Sequence, residues 1–271
     1  MTAMTAIRGV VFDWAGTIID FGSLAPMGAF VTLFANHGVT LSIAQARVPM
    51  GLPKLAHIQA LGAMPEVASQ WREAKGQAFT NAEAQALLEE FEPMSAQAAL
   101  ERSEFIPGFM DTYAQLQTEG IGVATTTGYT RKIMTPLIAL ANAAGFAPAQ
   151  VVCCDDVAHS RPSPLGMQLC MATLGLGDTP AAVVKVDDTE PGLHEGLNAG
   201  CWTVGVAASG NALGWSWEEW QQASEVERVA AVHTASTKLR IAGAHVVIPS
   251  VATLHHALRT IEARIQNGEH P

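Results

Sequence analysis

Positive charge is scarce in this chain of 271 residues, which has 15 Lys and Arg against 25 Asp and Glu and a net charge of −10. Proteins that bind nucleic acid need clustered Lys and Arg to contact phosphates, so the balance argues against that function. Long apolar runs are also missing, since none approaches the roughly 20 residues that cross a bilayer. The first six residues lack the basic start and apolar core of a signal peptide. We therefore expect a cytoplasmic protein with no nucleic-acid or membrane partner.

Cysteine is equally scarce: there are four, and no two have the CxxC spacing of a redox or metal motif. The adjacent Cys153 and Cys154 cannot easily pair with each other, so reduced thiols are expected. Hydrophobic residues, by contrast, make up 49% of the chain and charged residues 15%. This composition indicates a compact globular protein with an ample core, either one large domain or one domain with an insertion.

Short apolar segments that end in small or polar residues recur along the chain and predict strands. They are Gly9–Phe12, Ile121–Ala124, Gln150–Cys154, Ala181–Val186, Cys201–Val206 and Ala244–Ile248. Helical patterns separate several of them, and strands that alternate with helices favour a parallel sheet. The expected fold class is therefore α/β, with a doubly wound, Rossmann-like parallel sheet. The polar residues at the strand ends should then meet at one edge of this sheet.

Residues 24–104 break the alternation, because helical periodicity runs through them without a convincing strand. The predicted helices are Met27–His37, Ile43–Arg47, Leu52–Ala60, Met64–Lys75 and Asn81–Phe91. A helical block inserted after the first strand predicts a cap domain at residues 24–104. Residues 1–23 and 105–271 would then form the core domain, and the Pro107-Gly108 pair would mark the return of the chain to the sheet.

The first predicted strand stops abruptly at Asp13, and the turn Ala15-Gly16-Thr17 follows. Open α/β sheets bind ligands at the carboxyl ends of their strands, where a carboxylate can act as a covalent nucleophile toward phosphorus or carbon. Enzymes that expel an alkoxide from a phosphate ester usually need a proton donor beside the nucleophile, and two residues further on is a natural place for one. Ala15 cannot donate a proton, so another group must activate the leaving group here.

Later strand ends and loops carry further groups that suit phosphoryl chemistry. They are Thr126, Thr127 and Gly128 after the second predicted strand, Arg161 in a loop, and Asp187 and Asp188 after the segment that ends at Val186. Hydroxyls and backbone N–H groups bind phosphoryl oxygens, arginine binds phosphate in bidentate fashion, and carboxylates hold Mg²⁺. Each group alone has an ordinary explanation as a helix cap or a solvated loop residue. Their order along one sheet edge favours a phosphotransfer site.

This ordered set resembles the haloacid dehalogenase superfamily over nearly the whole chain. Four segments narrow the resemblance to its phosphonatase family: Phe12–Thr17, Pro49–Lys54, Thr126–Arg131 and Gly196–Gly200. The resemblance implies the following roles: Asp13 as the nucleophile; Lys54 as the cap lysine; Thr126, Thr127, Gly128, Arg161, Met50, His57 and Tyr129 as substrate or phosphate contacts; and Asp13, the Ala15 carbonyl and Asp188 as ligands of Mg²⁺.

The implied reaction is the hydrolysis of the C–P bond of 2-phosphonoacetaldehyde, in the degradation of 2-aminoethylphosphonate. A C–P bond has no oxygen to protonate, but a lysine imine formed at the neighbouring aldehyde can accept the electrons as the bond breaks. Lys54 would play this part, which explains why no acid stands at Ala15. Imine formation needs a free amine, so burial under the cap should lower the pKa of Lys54.

One position departs from the superfamily pattern. Many members carry a further acid four residues after the position of Asp188, where this chain has Gly192. Asp187 or Glu190 could compensate for the missing carboxylate, and the sequence leaves this open.

Three other functions are compatible with parts of the motif set. A phosphate-ester hydrolase or sugar phosphomutase would normally need the acid that Ala15 replaces. A carbon–halogen hydrolase also lacks that acid but needs no Mg²⁺, and a catalytically idle binding module would have little reason to keep the whole set. We also expect a homodimer, for which apolar cap-helix residues such as Met27, Phe30 and Phe34 could form the interface.

Overall fold

Six parallel strands form one sheet in the computed structural model, which describes residues 4–271. The strands are β1 (Gly9–Phe12), β2 (Gly122–Thr126), β3 (Val151–Val152), β4 (Val183–Asp187), β5 (Trp202–Val206) and β6 (Val246–Ile248). Their order in the sheet, β3-β2-β1-β4-β5-β6, is that of doubly wound Rossmann-type folds. The predicted fold class is confirmed. Residues 1–3, which belong to the predicted core domain and to the first six residues considered above as a signal peptide, lie outside the described residues.

Twelve α-helices lie within the described residues. They are α1 (Ala25–Asn36), α2 (Ile43–Arg47), α3 (Lys54–Gly62), α4 (Pro65–Lys75), α5 (Asn81–Glu101), α6 (Phe109–Thr118), α7 (Arg131–Ala143), α8 (Leu165–Thr173), α9 (Glu190–Asn198), α10 (Trp217–Gln222), α11 (Glu225–Ile241) and α12 (Leu254–Gln266). Within residues 4–271, none of them is both long and apolar enough to cross a membrane.

The two faces of the sheet pack against different helices because side chains alternate along a strand. Val10 and Phe12 of β1 lie in one buried cluster with side chains of α6, α7 and α12. Val11 points the other way, into a cluster with α8 that includes Met167 and Cys170. The sheet therefore has helices on both faces, and its central strands β1, β4 and β5 are buried throughout, as their nearly continuous apolar sequences indicate.

Helices α1 to α5 enclose a second hydrophobic core. Phe30, Phe34 and Met27 of α1 are fully buried there, at 0% exposure, against residues such as Leu61 and Phe91. The expectation that these three side chains form a dimer face is therefore wrong, since the chain buries them against itself. An apolar stripe on a helix does not reveal from sequence alone whether its partner lies in the same chain.

Candidate active site

The site lies at the carboxyl end of β1, the strand that has β2 on one side and β4 on the other. Phe12, the last residue of β1, is in register with Thr125 of β2 on one side and with Val186 of β4 on the other. Asp13 follows at once, and its backbone N–H donates to the Val186 carbonyl at 2.9 Å. Crevices at such topological switch points are where open α/β sheets bind their ligands. The predicted convergence of the polar strand ends is what the structure shows.

Asp13 is buried and is held by an arginine. Its Oδ1 lies 2.9 Å from a terminal nitrogen of Arg161, and both side chains are almost inaccessible to solvent. Burial is the main reason that the pKa of Asp13 is raised to about 6; the nearby Asp187 carboxylate raises it further, while Arg161 opposes the rise. A carboxylate in this position needs added positive charge to stay fully ionised as a nucleophile.

Arg161 belongs to a buried ionic network that also includes Lys185 and Glu195. The Arg161 Nε and the Lys185 Nζ lie 3.0 and 3.3 Å from the same Glu195 oxygen. Lys185 is fully buried and also lies 3.2 Å from Asp187. Sequence reasoning missed Lys185 and Glu195. The one available signal was a lysine inside the apolar strand of Val183–Asp187, because a charge buried there requires a partner.

The network uses the Thr126 side chain completely. Its hydroxyl donates to Glu195 at 2.7 Å and accepts from Lys185 at 2.6 Å and from Arg161 at 2.8 Å. A hydroxyl has one donor and two acceptor sites, so no capacity remains for a phosphoryl oxygen. The structure thus contradicts the predicted phosphate contact of the Thr126 hydroxyl, which instead holds the buried ionic network together. Thr127 and Gly128 do line the cavity beside Asp13.

Three buried carboxylates converge at the ends of β1 and β4. Oxygens of Asp13, Asp187 and Asp188 all lie within 4.8 Å of one another. Asp188 accepts from the Asn211 N–H at 2.7 Å and from the Thr17 hydroxyl at 3.3 Å. Burial, followed by repulsion from Asp13 and Asp187, raises the pKa of Asp188 well above its ordinary value.

This cluster has an excess of negative charge that a divalent cation fits. With Glu195 there are four buried carboxylates, and in the part of the chain that the structure describes only Arg161 and Lys185 lie within ion-pair distance of them. Hard oxygen ligands of this kind suit Mg²⁺. Of the two candidates to replace an acid at Gly192, Asp187 lies in the cluster, whereas Glu190 is exposed on the surface.

Lys54, the first residue of α3, faces Asp13 across a small cavity of about 30 Å³. Its side chain is 4% exposed, and its Nζ lies 4.8 Å from the ring centre of Tyr129 and 5.8 Å from that of Phe30. Among residues 4–271 no carboxylate lies within ion-pair distance of this amine. Burial therefore dominates and lowers the pKa of Lys54 to about 8, although Cys154 and Asp13 oppose the change.

A tight loop before α3 brings Lys54 to the strand ends. Gly51 has a φ of +90°, and a Cβ there would lie 2.5 Å from the Thr189 Oγ1 beyond β4. On the other side, a Cβ at Gly128 would lie 3.3 Å from the Leu52 carbonyl. Glycine is required at position 51 for both its backbone conformation and this close approach. Met50, from the same loop, lines the cavity as expected.

His57 lies beneath Lys54 and does not line the cavity. Its ring stacks on Phe30 with centres 4.0 Å apart, and its Nε2 bonds the Ala46 carbonyl at 2.8 Å. Burial and the neighbouring Lys54 lower the pKa of His57 to about 3, so it is neutral at physiological pH. Its predicted substrate contact is therefore not direct. Tyr129 does line the cavity, with its hydroxyl buried and without a partner among the described residues.

Comparison of the whole chain with known proteins shows which family it belongs to. The haloacid dehalogenase-like hydrolase family model matches residues 7–200. Phosphonoacetaldehyde hydrolase of Paraburkholderia xenovorans (strain LB400) is 44% identical over 268 residues, covering 99% of this chain and 100% of the relative. The enzyme of that name from Klebsiella pneumoniae subsp. pneumoniae is 42% identical over 270 residues, with coverage of 99% and 100%.

Solved structures agree with these sequence relatives. The crystal structure of a phosphonoacetaldehyde hydrolase-like protein from Oleispira antarctica superposes with a TM-score of 0.96 and 38% identity, covering 100% of this chain and 98% of that one. A β-phosphoglucomutase from Clostridium difficile, at 14% identity and a TM-score of 0.67 over 96% of this chain and 99% of that one, shares the fold alone. The chain belongs to the haloacid dehalogenase-like hydrolases and, within them, to the phosphonoacetaldehyde hydrolase family.

Proposed function

We propose that this chain hydrolyses the C–P bond of 2-phosphonoacetaldehyde to acetaldehyde and phosphate, a step in the degradation of 2-aminoethylphosphonate. The names of the relatives support this substrate. The observation that carries the proposal is the shared cavity of Lys54 and Asp13, with Ala15 in place of an acid. An electrophile-forming amine and a nucleophilic carboxylate then flank one small space, which is what cleavage beside an aldehyde requires.

Lys54 forms the electron sink. Its neutral amine adds to the aldehyde carbon and loses water to give an imine, which is then protonated. The lowered pKa of about 8 leaves roughly a tenth of the amine free at pH 7. An ordinary lysine with a pKa near 10.5 would have a free fraction about 300-fold smaller. Burial of Lys54 therefore destabilises the charged amine and increases the fraction that can react with the aldehyde.

Asp13 attacks phosphorus and forms an aspartyl phosphate. The C–P bonding electrons move into the protonated imine, which becomes an enamine on Lys54. Arg161 orients Asp13 through its 2.9 Å contact, and the Thr127 hydroxyl and the Gly128 N–H, both from residues that line the cavity, would donate hydrogen bonds to the phosphoryl oxygens. Water then hydrolyses the acyl phosphate, while protonation of the enamine carbon and hydrolysis of the resulting imine release acetaldehyde and free Lys54.

Asp13, Asp188 and the backbone carbonyl of Ala15 are the residues that would hold Mg²⁺. When bound, the cation would neutralise the excess charge of the carboxylates and the phosphoryl group. Ala15 belongs to the same cavity lining as Asp13.

Helices α1 to α5, within residues 24–104, would act as a cap that opens to admit substrate. The cavity of about 30 Å³ has room for only one or two water molecules, so the entry of substrate would require the cap to move away from the sheet. Met50 and Tyr129 would then surround the aldehyde part of the substrate. His57, which is neutral and stacks on Phe30, would help to pack the helix that carries Lys54.

Product analysis tests this function. The protein, with Mg²⁺ and phosphonoacetaldehyde, should release phosphate and acetaldehyde in equal amounts, and Lys54→Arg should release neither while remaining folded by circular dichroism. Preferential turnover of alkyl phosphate esters would instead indicate an ester hydrolase. Chelator-resistant halide release from a 2-haloacid would indicate a dehalogenase, and Mg²⁺ binding without any turnover an idle module.

A homodimer is proposed as well. With Met27, Phe30 and Phe34 excluded from the interface, Val226 and Val229 of α11 are the candidates, since they lie one turn apart and are 78% and 65% exposed. Light scattering should show a dimer for the wild-type chain and a monomer for the double variant Val226→Glu/Val229→Glu. A dimer in both would move the interface elsewhere.

A further inference from the structure

Residues 209–215, in the loop after β5, lie between the helices of the cap and the core; we call them the clasp loop. The Ser209 hydroxyl donates to the Gly16 carbonyl at 2.8 Å, in the turn that follows Asp13. The Ser209 carbonyl accepts from the Gly22 N–H at 2.7 Å, close to where the chain enters the cap. The clasp loop is therefore tied both to the turn beside the nucleophile and to the segment that leads into the cap.

On the cap side, Arg47 at the end of α2 reaches the clasp loop. Its guanidinium donates to the Gly214 carbonyl at 2.9 Å and to the Asn211 side-chain oxygen at 3.1 Å. A third hydrogen bond, at 2.9 Å, goes to the Gly22 carbonyl. Gly214 has a φ of +73°, and a Cβ there would lie 2.6 Å from the Arg47 Cζ. The loop is thus shaped to receive the planar, forked guanidinium of this one side chain.

Asn211 makes contacts in two directions. Its side-chain oxygen accepts from Arg47, whereas its backbone N–H donates to the Asp188 Oδ2 at 2.7 Å. The other oxygen of Asp188 accepts from the Thr17 hydroxyl at 3.3 Å, so the Asn211 N–H makes the shorter of these two hydrogen bonds. A cap that fixes the side chain of Asn211 therefore also fixes the N–H that orients the Asp188 carboxylate.

The same end of α2 is joined to the helix that carries Lys54. The carbonyl of Ala46, the neighbour of Arg47, accepts from the His57 Nε2 at 2.8 Å. His57 lies in α3, one turn beyond Lys54, and both side chains are buried. A contact between Arg47 and the clasp loop therefore also holds the helix of Lys54 against the core.

We propose that Asn211 is a positioning residue that couples closure of the cap to the orientation of Asp188. With the cap closed, Arg47 fixes the clasp loop and the Asn211 N–H holds the Asp188 carboxylate; with the cap open, this restraint is lost. Mg²⁺ binding and closure then favour each other, because a ligand that binds one form better shifts the population toward it. The inference rests on the proposed function only for a cap that opens and a site that binds Mg²⁺.

Simple electrostatics predicts the opposite effect of Arg47 on Mg²⁺. Arg47 and Lys238 both line a groove of about 650 Å³ that also contains Asp188. By charge alone, removing either cation from this groove should strengthen the binding of Mg²⁺. The proposed coupling predicts that the loss of Arg47 weakens it. Lys238→Met is the matched control, because the Lys238 side chain is exposed and makes no hydrogen bond or ion pair with the described residues.

Two measurements test the coupling without substrate. Calorimetry gives the Kd for Mg²⁺, and peptide mass spectrometry gives the rate at which acetic anhydride modifies Lys54, which is 4% exposed and reacts when the cap opens. Lys185, at 0% exposure in the sheet, is the internal reference, because it is modified only if the core unfolds. The variants are Arg47→Met, Asn211→Ala, their double variant and Lys238→Met. Asn211→Ala keeps the backbone N–H that holds Asp188.

In the wild type, Mg²⁺ should slow the acetylation of Lys54 about 5-fold or more. Arg47→Met and Asn211→Ala should each raise the Kd for Mg²⁺ about 5-fold and lose most of this slowing, while Lys185 stays unmodified. The double variant should match Arg47→Met, because the Asn211 side chain has no guanidinium left to bind. Lys238→Met should bind Mg²⁺ at least as tightly as the wild type.

Unchanged or tighter Mg²⁺ binding by Arg47→Met would overturn the inference, as would a wild type in which Mg²⁺ does not slow the acetylation of Lys54. Either result in a chain that cleaves phosphonoacetaldehyde leaves the proposed function standing. The expected coupling in a chain that does not cleave phosphonoacetaldehyde supports the role of Asn211 and refutes the proposed function alone.

Discussion

Replacing Lys54 by methionine should abolish turnover and at the same time stabilise the fold at neutral pH. The amine is buried, and within residues 4–271 it has no carboxylate partner, so its charged form is unfavourable in the folded protein. A pKa lowered from 10.5 to about 8 corresponds, at about 1.4 kcal/mol per pH unit, to a penalty of about 3 kcal/mol. Methionine has a similar length and no charge to bury.

The sign of the effect follows from linkage. Below pH 8, Lys54 is protonated in both the folded and the unfolded chain, so its full penalty is present. Between pH 8 and 10.5 the folded chain loses this proton while the unfolded chain keeps it, and the penalty disappears. Urea unfolding should therefore show Lys54→Met about 3 kcal/mol more stable than the wild type at pH 7, with the difference shrinking toward zero near pH 10.5.

Lys185→Met is the matched control, because Lys185 is equally buried but contacts Asp187 and Glu195. Removing one partner of a buried ion pair costs about 3–5 kcal/mol, so this variant should be less stable than the wild type. The reasoning is refuted if Lys54→Met loses stability at pH 7 as Lys185→Met does, or if its gain does not change with pH.

Three further predictions concern the loops and the metal. Arg47 of α2 donates to the Gly22 and Gly214 carbonyls and to the Asn211 side chain. Arg47→Met should therefore weaken closure, lower kcat/KM about 30-fold and lower the Tm by a few degrees, as measured by steady-state kinetics and melting curves. Thr127→Val should lower kcat about 100-fold and the Tm only slightly, since just the Tyr129 N–H loses its acceptor. Thr126→Val should lower the Tm more, because it leaves both Lys185 and Arg161 under-satisfied; kinetics and melting curves together check this contrast. Chelation by EDTA should abolish phosphate release and Mg²⁺ should restore it, and activity that persists in EDTA would exclude the metal role of Asp13 and Asp188.

The sheet could be predicted from sequence because its strands are buried on both faces. An apolar run bounded by polar residues marks such a strand, and Gly9–Phe12 is found at the predicted bounds. Helix α11 was not predicted, since only Ala235, Ser236 and Leu239 of its 17 residues are buried and its apolar face is correspondingly weak. A helix held by so few contacts leaves little periodic signal.

At the site, the sequence indicated the residue types but not how their hydrogen bonds are shared. Thr126 and Thr127 are equivalent in the motif, and only the structure shows that Lys185, Arg161 and Glu195 occupy the hydroxyl of Thr126. Such sharing depends on side chains from β2, β4 and α9 that are far apart in the chain. Local sequence patterns therefore cannot reveal how these hydrogen bonds are shared.

Borohydride trapping tests the central claim most directly. The protein is incubated with phosphonoacetaldehyde and Mg²⁺, reduced with borohydride and mapped by peptide mass spectrometry, with Lys54→Met as the control. The account predicts an ethyl-type adduct on Lys54 alone, together with loss of activity. Phosphate release without any lysine adduct, or an adduct on a different lysine that accompanies inactivation, would contradict it.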